Sequence, residues 1–346
     1  MENTVKFFLG ANSDCGFMSY FKQLQEPDSL QLLILKGGPG SGKSSLMKKV
    51  ASMAADKGHV VHLIPCASDM DSLDGFIDKT ASFAMIDGTA PHTEDPSLPG
   101  VRHHIMYTGD LWDTAKLKNK AEEIEFFSDI TAEYHSGAAS YIKAAGALLR
   151  ANYIHSLKYV SSSAEDLPWE IMKELPDGDA FWEEKRLLSA VTGGKIGFLE
   201  ETLPALAQKI YVIEDEFGGA CGKIIDTVKS IARLKKMHMI TCPCSIMPDR
   251  TDHIIFPEAG VAFTKGNEFL KSSVGEKTDV SVLYEKGLDK ESCQRRCRDA
   301  KKLLTKASAF VKAAKKSHDS LEKYYISAMN FKEMDVLFDK IKTMFY

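Results

Sequence analysis

Residues 37–45 read GGPGSGKSS, which fits G-x-x-x-x-G-K-[ST] with Gly37, Gly42, Lys43 and Ser44 at the fixed positions. The chemistry open to this spacing is the holding of a polyphosphate. Glycines let the backbone turn several N–H groups inward, and a helix starting at the end of the loop adds its positive end. Lys43 supplies a point charge for the β- and γ-phosphates, and the Ser44 hydroxyl is an oxygen ligand for Mg²⁺. The cradle is therefore expected from Gly37, Gly38, Pro39, Gly40, Ser41, Gly42, Lys43, Ser44 and Ser45. Magnesium also needs a carboxylate near the phosphates. Asp87, which closes the apolar run SFAMID, is the candidate to join Ser44 on the metal; the other reading is a turn acid at a strand end. His92, in the GTAPH that follows, could sense the γ-phosphate or shuttle a proton, or be a plain loop histidine. Lys43, Asp87 and His92 are thus the catalytic candidates.

Such residues must be positioned by a strand and a helix. Residues 32–36 (LLILK) form a short apolar run of the kind a buried parallel strand shows, and Leu46, Met47, Val50 and Met53 recur at helical spacing. The loop thus sits between a predicted strand and a predicted helix. Asp69 and Asp71 follow a further predicted strand, HVVHLIP at 59–65. They could orient water or a substrate hydroxyl there, or simply form a polar turn.

The chain also repeats itself. A second glycine loop, FGGACGKII at 217–225, follows the strand-like KIYVIEDE. Aligning the halves pairs His62 with His238, Cys66 with Cys242, Asp74 with Asp252 and Asp87 with Lys265. It pairs Gly42 with Gly222, Lys43 with Lys223 and Ser44 with Ile224. The second copy thereby loses both Mg²⁺ ligands, and residues common to both copies read as fold-keeping. The expected fold class is α/β: two related units with mostly parallel sheets, each followed by a long helix, the first live and the second degenerate. The expected division is 1–165, a connector at 166–184, and 185–346 ending in a basic helix.

On LILKGGPGSGKSSLMKKV, CASDMDSLDG and DGTAPHTEDPSLPG, the chain resembles a bacterial family of tandem P-loop NTPases, described as ATP-binding proteins, ATPases or nucleotide kinases. The resemblance spans nearly the whole chain and implies ATP as the nucleotide, without an established substrate. FGGACGKII and TKGN depart from the family's paired intact loops. GTP is disfavoured, because no N-K-x-D guanine-reading motif is present.

Bulk properties narrow the rest. With 346 residues, 44% hydrophobic and 27% charged, the chain reads as a globular protein of two ordinary domains. A net charge of −4 gives no global basic field for nucleic acid. The N-terminus does not read as a secretory signal, so the seven cysteines are expected to be reduced thiols in the cytoplasm; a zinc site from C-P-C and C-x-x-x-C is the alternative. The basic stretch 295–316 carries Leu303, Ala307, Phe310, Val311 and Ala314 as an apolar stripe. It reads as a helix packed on the protein; an anionic partner (phosphate groups, nucleic acid or a membrane surface) or an arginine or lysine reaching the γ-phosphate is the sharper alternative. The expected function is Mg²⁺-dependent ATP hydrolysis coupled to a conformational switch. The alternatives are a kinase passing the γ-phosphate to a nucleotide or small molecule, and a non-catalytic ATP-dependent interaction module. Only Arg102 and Arg150 lie between Asp87 and Ser161, a thin supply for a kinase lid. A homo-oligomer is left open.

Overall fold

The computed structural model describes residues 4–346. The first half runs β1 (Thr4–Lys6), a hairpin of β2 (Gly10–Ser13) and β3 (Gly16–Ser19), β4 (Gln31–Lys36), α1 (Lys43–Asp56), β5 (Val61–Pro65), β6 (Leu73–Asp78), β7 (Phe83–Asp87), β8 (His103–Tyr107), the short α2 (Thr114–Lys118) and the long α3 (Ala121–Leu157). The second half runs α4 (Asp166–Met172), β9 (Trp182–Lys185), a hairpin of β10 (Ser189–Val191) and β11 (Ile196–Phe198), the short α5 (Thr202–Leu206), β12 (Lys209–Glu214), α6 (Gly219–Leu234), β13 (His238–Pro243), β14 (Thr251–Phe256), β15 (Val261–Gly266), β16 (Glu276–Asp279), α7 (Lys290–Ala328) and α8 (Phe331–Phe345).

Each half builds a six-stranded sheet, ordered β1-β5-β6-β7-β4-β8 and β9-β13-β14-β15-β12-β16. Element for element the two orders are the same. Pairing is parallel except around β6 and β14, which run antiparallel to both neighbours. The central strands are apolar on both faces, as a sheet covered on both sides requires: Leu32, Leu33, Ile34 and Leu35 of β4 are all fully buried.

The two halves meet symmetrically. Phe8 and Leu187 exchange backbone hydrogen bonds of 2.8 and 2.9 Å. Trp112 bridges to Met329, and Tyr284 bridges to Val160. The long helices α3 and α7, 37 and 39 residues, lie side by side. They run antiparallel, because Ser317 Oγ bonds Phe127 O (3.3 Å) at one end and Asn152 Nδ2 bonds Cys293 O (2.8 Å) at the other. Each carries the chain across to the opposite half. After α3, Ala164 and Met172 enter the core around α6; after α7, Met334 and Ile341 enter the core around α1. The segment 166–184, expected as the connector, is folded: it supplies α4 and the start of β9. Residues 331–346 belong by packing to the first core, and the basic helix is followed by this further helix.

The sheet registers refine the internal alignment. Leu35 of β4 faces Asp87, and Ile213 of β12 faces Lys265, so Asp87 and Lys265 are equivalent. Both β5–β6 and β13–β14 carry an irregularity, between Ile64 and Pro65 and between Cys242 and Pro243; Asp74 and Asp252 are the residues skipped opposite it. Their pairing therefore stands. The same irregularities put His62 level with Ile240 and Cys66 with Cys244, not with His238 and Cys242. The loops differ in length. α1 is capped by Gly42 (φ 80°) and α6 by Gly218 (φ 91°), both left-handed, a conformation that glycine adopts without strain. Four residues, 215–218, follow β12, where six, 37–42, follow β4. Lys43 thus matches Gly219, not Lys223, and the Gly42–Gly222 and Ser44–Ile224 pairings fall with it. The shared letters G-K had drawn the alignment four residues past the start of α6, beyond a loop shortened by two.

Candidate functional site

The first glycine loop leaves β4 at Lys36 and enters α1 at Lys43. Lys43 is 9% exposed and folds back over the loop, its ammonium donating to Gly37 O (2.7 Å) and Gly38 O (2.8 Å). Ser41 Oγ bonds Gly38 O (2.9 Å) and accepts from the buried Thr108 hydroxyl (2.9 Å), which ties the loop to the end of β8. Thr108 carries no sequence signal; only the β4–β8 pairing brings it here.

Asp87 stands on the neighbouring strand, its Oδ2 3.6 Å from Lys43 Nζ. Its Oδ1 accepts from the Thr89 N–H (2.9 Å) and the Thr89 hydroxyl (2.5 Å), so the carboxylate is held by the first turn of the loop beyond it. Ser44 Oγ accepts from the Leu73 N–H (2.9 Å), beside Asp74. Ser44 and Asp87 offer oxygen donors of the kind a hard divalent cation takes, and among the described residues Asp87 Oδ2 has the Lys43 ammonium as its charged partner.

His92 is placed differently from the expectation of a γ-phosphate sensor. Its ring is 8% exposed and lies between Phe17 and Phe21, with centroids 5.1 and 4.9 Å away. Its Nε2 lies 3.1 Å from Asp74 Oδ2. Burial lowers the His92 pKa, but the bond to Asp74 and the charges of Asp74 and Asp87 outweigh it and leave the pKa raised. Asp74, read from sequence as fold-keeping because both halves have it, is thus tied to the catalytic candidates. Asp69 is bound by Ser72 Oγ (2.9 Å) and by Lys315 Nζ (3.2 Å), so it anchors a turn to α7. The Asp71 carbonyl takes the Lys48 ammonium.

The roof of this loop comes from the other half. The Gly40 N–H donates to Glu322 Oε1 (3.3 Å), and a Cβ at Gly40 would lie 2.8 Å from the Glu322 carbonyl oxygen. Tyr325 packs on Trp112 (5.2 Å between centroids), and Trp112 sits over Gly38. Phe331 and Met334 cover Gly42. None of these residues forms a motif with the loop in sequence. The arginines 295, 296 and 298 lie at the opposite end of α7, roughly 40 Å along the helix from Glu322. Arg296 there bonds Asn152 Oδ1 (2.5 Å), so an arginine from this stretch reaching the first loop is ruled out. The apolar stripe of α7 is packed on the protein, with Ala307, Val311 and Ala314 buried.

The second glycine loop has an occupant of its own. Asp215, the residue after β12 and 3% exposed, turns its carboxylate into the loop. It accepts from the Phe217 N–H (2.9 Å) and the Cys221 N–H (2.8 Å), and from the Tyr284 hydroxyl at 2.9 and 3.0 Å. Tyr284 in turn accepts from the Ala220 N–H (3.0 Å). The N–H groups that would meet a phosphate are therefore satisfied by side chains. Lys265, at the position of Asp87, pairs with Asp252 at 3.2 Å, both buried. Burial opposes its charge, but Asp252 outweighs this and raises the Lys265 pKa. Lys223 lies along α6, ion-paired with Glu165 at 2.7 Å.

The cysteines do not gather. All seven are free, and among the described residues no grouping of three metal-ligating side chains includes one. Burial raises the thiols of Cys244 to about 12 and Cys297 to about 11. No described helix is long and apolar enough to cross a membrane. Compared with protein-family models, curated proteins and solved structures, the chain matches none of them.

Proposed function

We propose that the chain is a Mg²⁺-dependent ATP-binding NTPase with one nucleotide site, the first glycine loop, and that it hydrolyses ATP to ADP and phosphate. The observation that carries this reading is the Lys43–Asp87 pair at 3.6 Å, at the junction of a buried parallel strand and a helix whose start is a G-x-x-x-x-G-K-S loop. A point cation, a carboxylate and a ring of backbone donors are the parts that phosphoryl chemistry needs, because that chemistry is mainly positioning and charge neutralisation.

In this reading Lys43 exchanges the Gly37 and Gly38 carbonyls for phosphate oxygens. Ser44 and Asp87 hold the metal, which when bound neutralises charge on the phosphates. Thr89 fixes the Asp87 carboxylate. His92 positions Asp74 rather than touching nucleotide. Glu322 leaves the Gly40 N–H when a phosphate takes it. Because Glu322 and Tyr325 belong to α7, which packs along α3 and reaches the second half, nucleotide entry moves an element shared by both halves, and turnover is thereby coupled to a conformational change. This coupling favours a switch over transfer to an acceptor.

The test is calorimetric titration with a non-hydrolysable ATP analogue and Mg²⁺, on the wild type and on Lys43→Ala, beside a phosphate-release assay without acceptor. One site per chain, lost in the variant, with steady phosphate release, is expected. Binding that survives Lys43→Ala removes the proposal. Turnover only when a small-molecule acceptor is added makes the protein a kinase.

A further inference from the structure

We infer that the exposed face of α7 is a docking surface for the phosphate backbone of double-stranded nucleic acid, bound through charge and without reading sequence. The chain's total charge hides a local excess. Residues 295–316 carry nine Lys and Arg against one acid, Asp299, a net +8 in a chain of −4, so all other residues together carry −12. A basic stripe along one helix is the electrostatic footprint of such a partner, and it acts locally whatever the total.

The cations are arranged rather than scattered. Arg295, Arg298, Lys302, Lys312 and Lys316 are exposed and recur at three- and four-residue steps, with the exposed Thr305 and Ala309 at the two positions between. The opposite side of the helix, with Cys297, Leu304 and Val311, is the buried one. At about 1.5 Å per residue the ridge from Arg295 to Lys316 is roughly 32 Å long.

Little around the ridge neutralises it. The ion pairs within 295–316 are Lys301–Glu268, Lys302–Asp299 and those of Lys315 with Asp69 and Asp319. Arg295, Arg298, Lys312 and Lys316 form none among the described residues. The turn beside the ridge, tied on by the Gly194 N–H to Ser308 Oγ (2.7 Å), adds the exposed Lys195 and no acid. The acids of α3 all lie within 122–133, beside the C-terminal part of α7, where Ser317 meets Phe127. Packing does not require the excess either: α3, the equivalent helix in the first half, carries five acids against two cations, Lys143 and Arg150.

The chemistry selects the partner. A duplex carries one phosphate charge about every 1.7 Å of its axis, a regular array for a straight row of cations. A membrane surface is met by apolar side chains beside the cations, and single strands by exposed aromatic rings. The ridge offers Thr305 and Ala309 instead, and the nearby Phe310 and Tyr141 are half-buried. α7 lies alongside α3, and two helices are too wide for a major groove of about 12 Å, so phosphates rather than base edges are met.

The experiment is fluorescence anisotropy of the full chain, without ATP, on two labelled DNA duplexes of unrelated sequence at several salt concentrations. Each has about 20 base pairs, roughly twice the ridge at about 3.4 Å per pair. Equal affinity for both and a log–log salt slope of about −4, near 0.9 for each unpaired ridge cation, are expected. Replacing Arg295, Arg298, Lys312 and Lys316 together with Gln should weaken binding at least tenfold at low salt and at least halve the slope. The same change at exposed lysines elsewhere (Lys22, Lys118, Lys332 and Lys342) should leave the slope as it is. No duplex binding at low salt, or a slope that the ridge variant does not reduce or that the control reduces equally, overturns the proposal. So does co-sedimentation with phosphatidylserine vesicles without duplex binding, which makes a membrane the partner. The titration needs no nucleotide, so its outcome is separate from that of the ATP site.

Discussion

The two glycine loops sit at the same place in the same topology, and they handle charge in opposite ways. The first sets a lysine against a carboxylate, Lys43 and Asp87 at 3.6 Å, with its Gly40 N–H donating to Glu322 from α7. The second supplies its own: the Asp215 carboxylate lies where the first loop has Gly37, and the Lys265 ammonium stands where the first half has Asp87. The second loop is therefore internally satisfied. Buried donors left without partners are costly, and the Asp215 carboxylate removes that cost here. A second contrast lies in the shared acid. Asp252 faces a lysine, whose charge is permanent at neutral pH, and Asp74 faces a histidine, whose charge is not.

The largest test of this contrast is Lys265→Met, which leaves Asp252 charged and buried. A loss of about 3–5 kcal/mol in denaturant-derived stability is expected, because one partner of a buried pair is removed. The double variant with Asp252→Asn should recover most of it; an unaltered single variant would break the view that the buried Lys265–Asp252 pair holds the second loop's surroundings together. Next is the lysine pair that the sequence alone would equate. Lys43→Ala should weaken nucleotide binding at least a hundredfold, about 3 kcal/mol, because a charge-assisted contact to phosphate is lost. Lys223→Ala should leave binding untouched and shift stability by no more than about 0.5 kcal/mol, as an exposed ion pair does.

Asp215→Asn should cost about 1–3 kcal/mol, since one acceptor oxygen becomes a donor facing N–H groups. If the variant instead melts as the wild type does and gains nucleotide binding, the loop is merely blocked rather than rebuilt. The smallest effect is in pH. The His92 pKa is raised above its ordinary 6.5, so its contribution to stability is complete below that pH and is lost as pH rises through the folded value. Chemical denaturation across the neutral to alkaline range should show this decline in the wild type and a flatter profile in His92→Gln. A wild-type profile that rises with pH over that range would show that Asp74 does not need the imidazolium.

Much of the fold was legible because it is written in local chemistry. The apolar runs of β4 and β12, the helical spacing after each loop and the acid ending SFAMID follow from periodicity and turn residues alone. The error in the internal alignment was equally physical. A two-residue shortening left G-K in view while moving it into a helix, and only the cap glycines and sheet register show the shift. His92 read as a loop histidine near phosphate because nothing local announces that Phe17 and Phe21 enclose it.

What the sequence determined by itself is the pair of α/β units and the strand–loop–helix that offers Lys43, Ser44 and Asp87, for those depend on neighbours within a few residues or on strand patterning. What only the tertiary structure decided is the crossing of the halves. The α3–α7 pair lays Glu322 and Tyr325 on the first loop and Tyr153 on the second, and Asp215 and Arg250 take their roles from partners brought to them by the fold. Such contacts join residues from 32 to 282 positions apart, and a side chain's burial and partner, which set its charge and its use, exist only once those distant segments have packed.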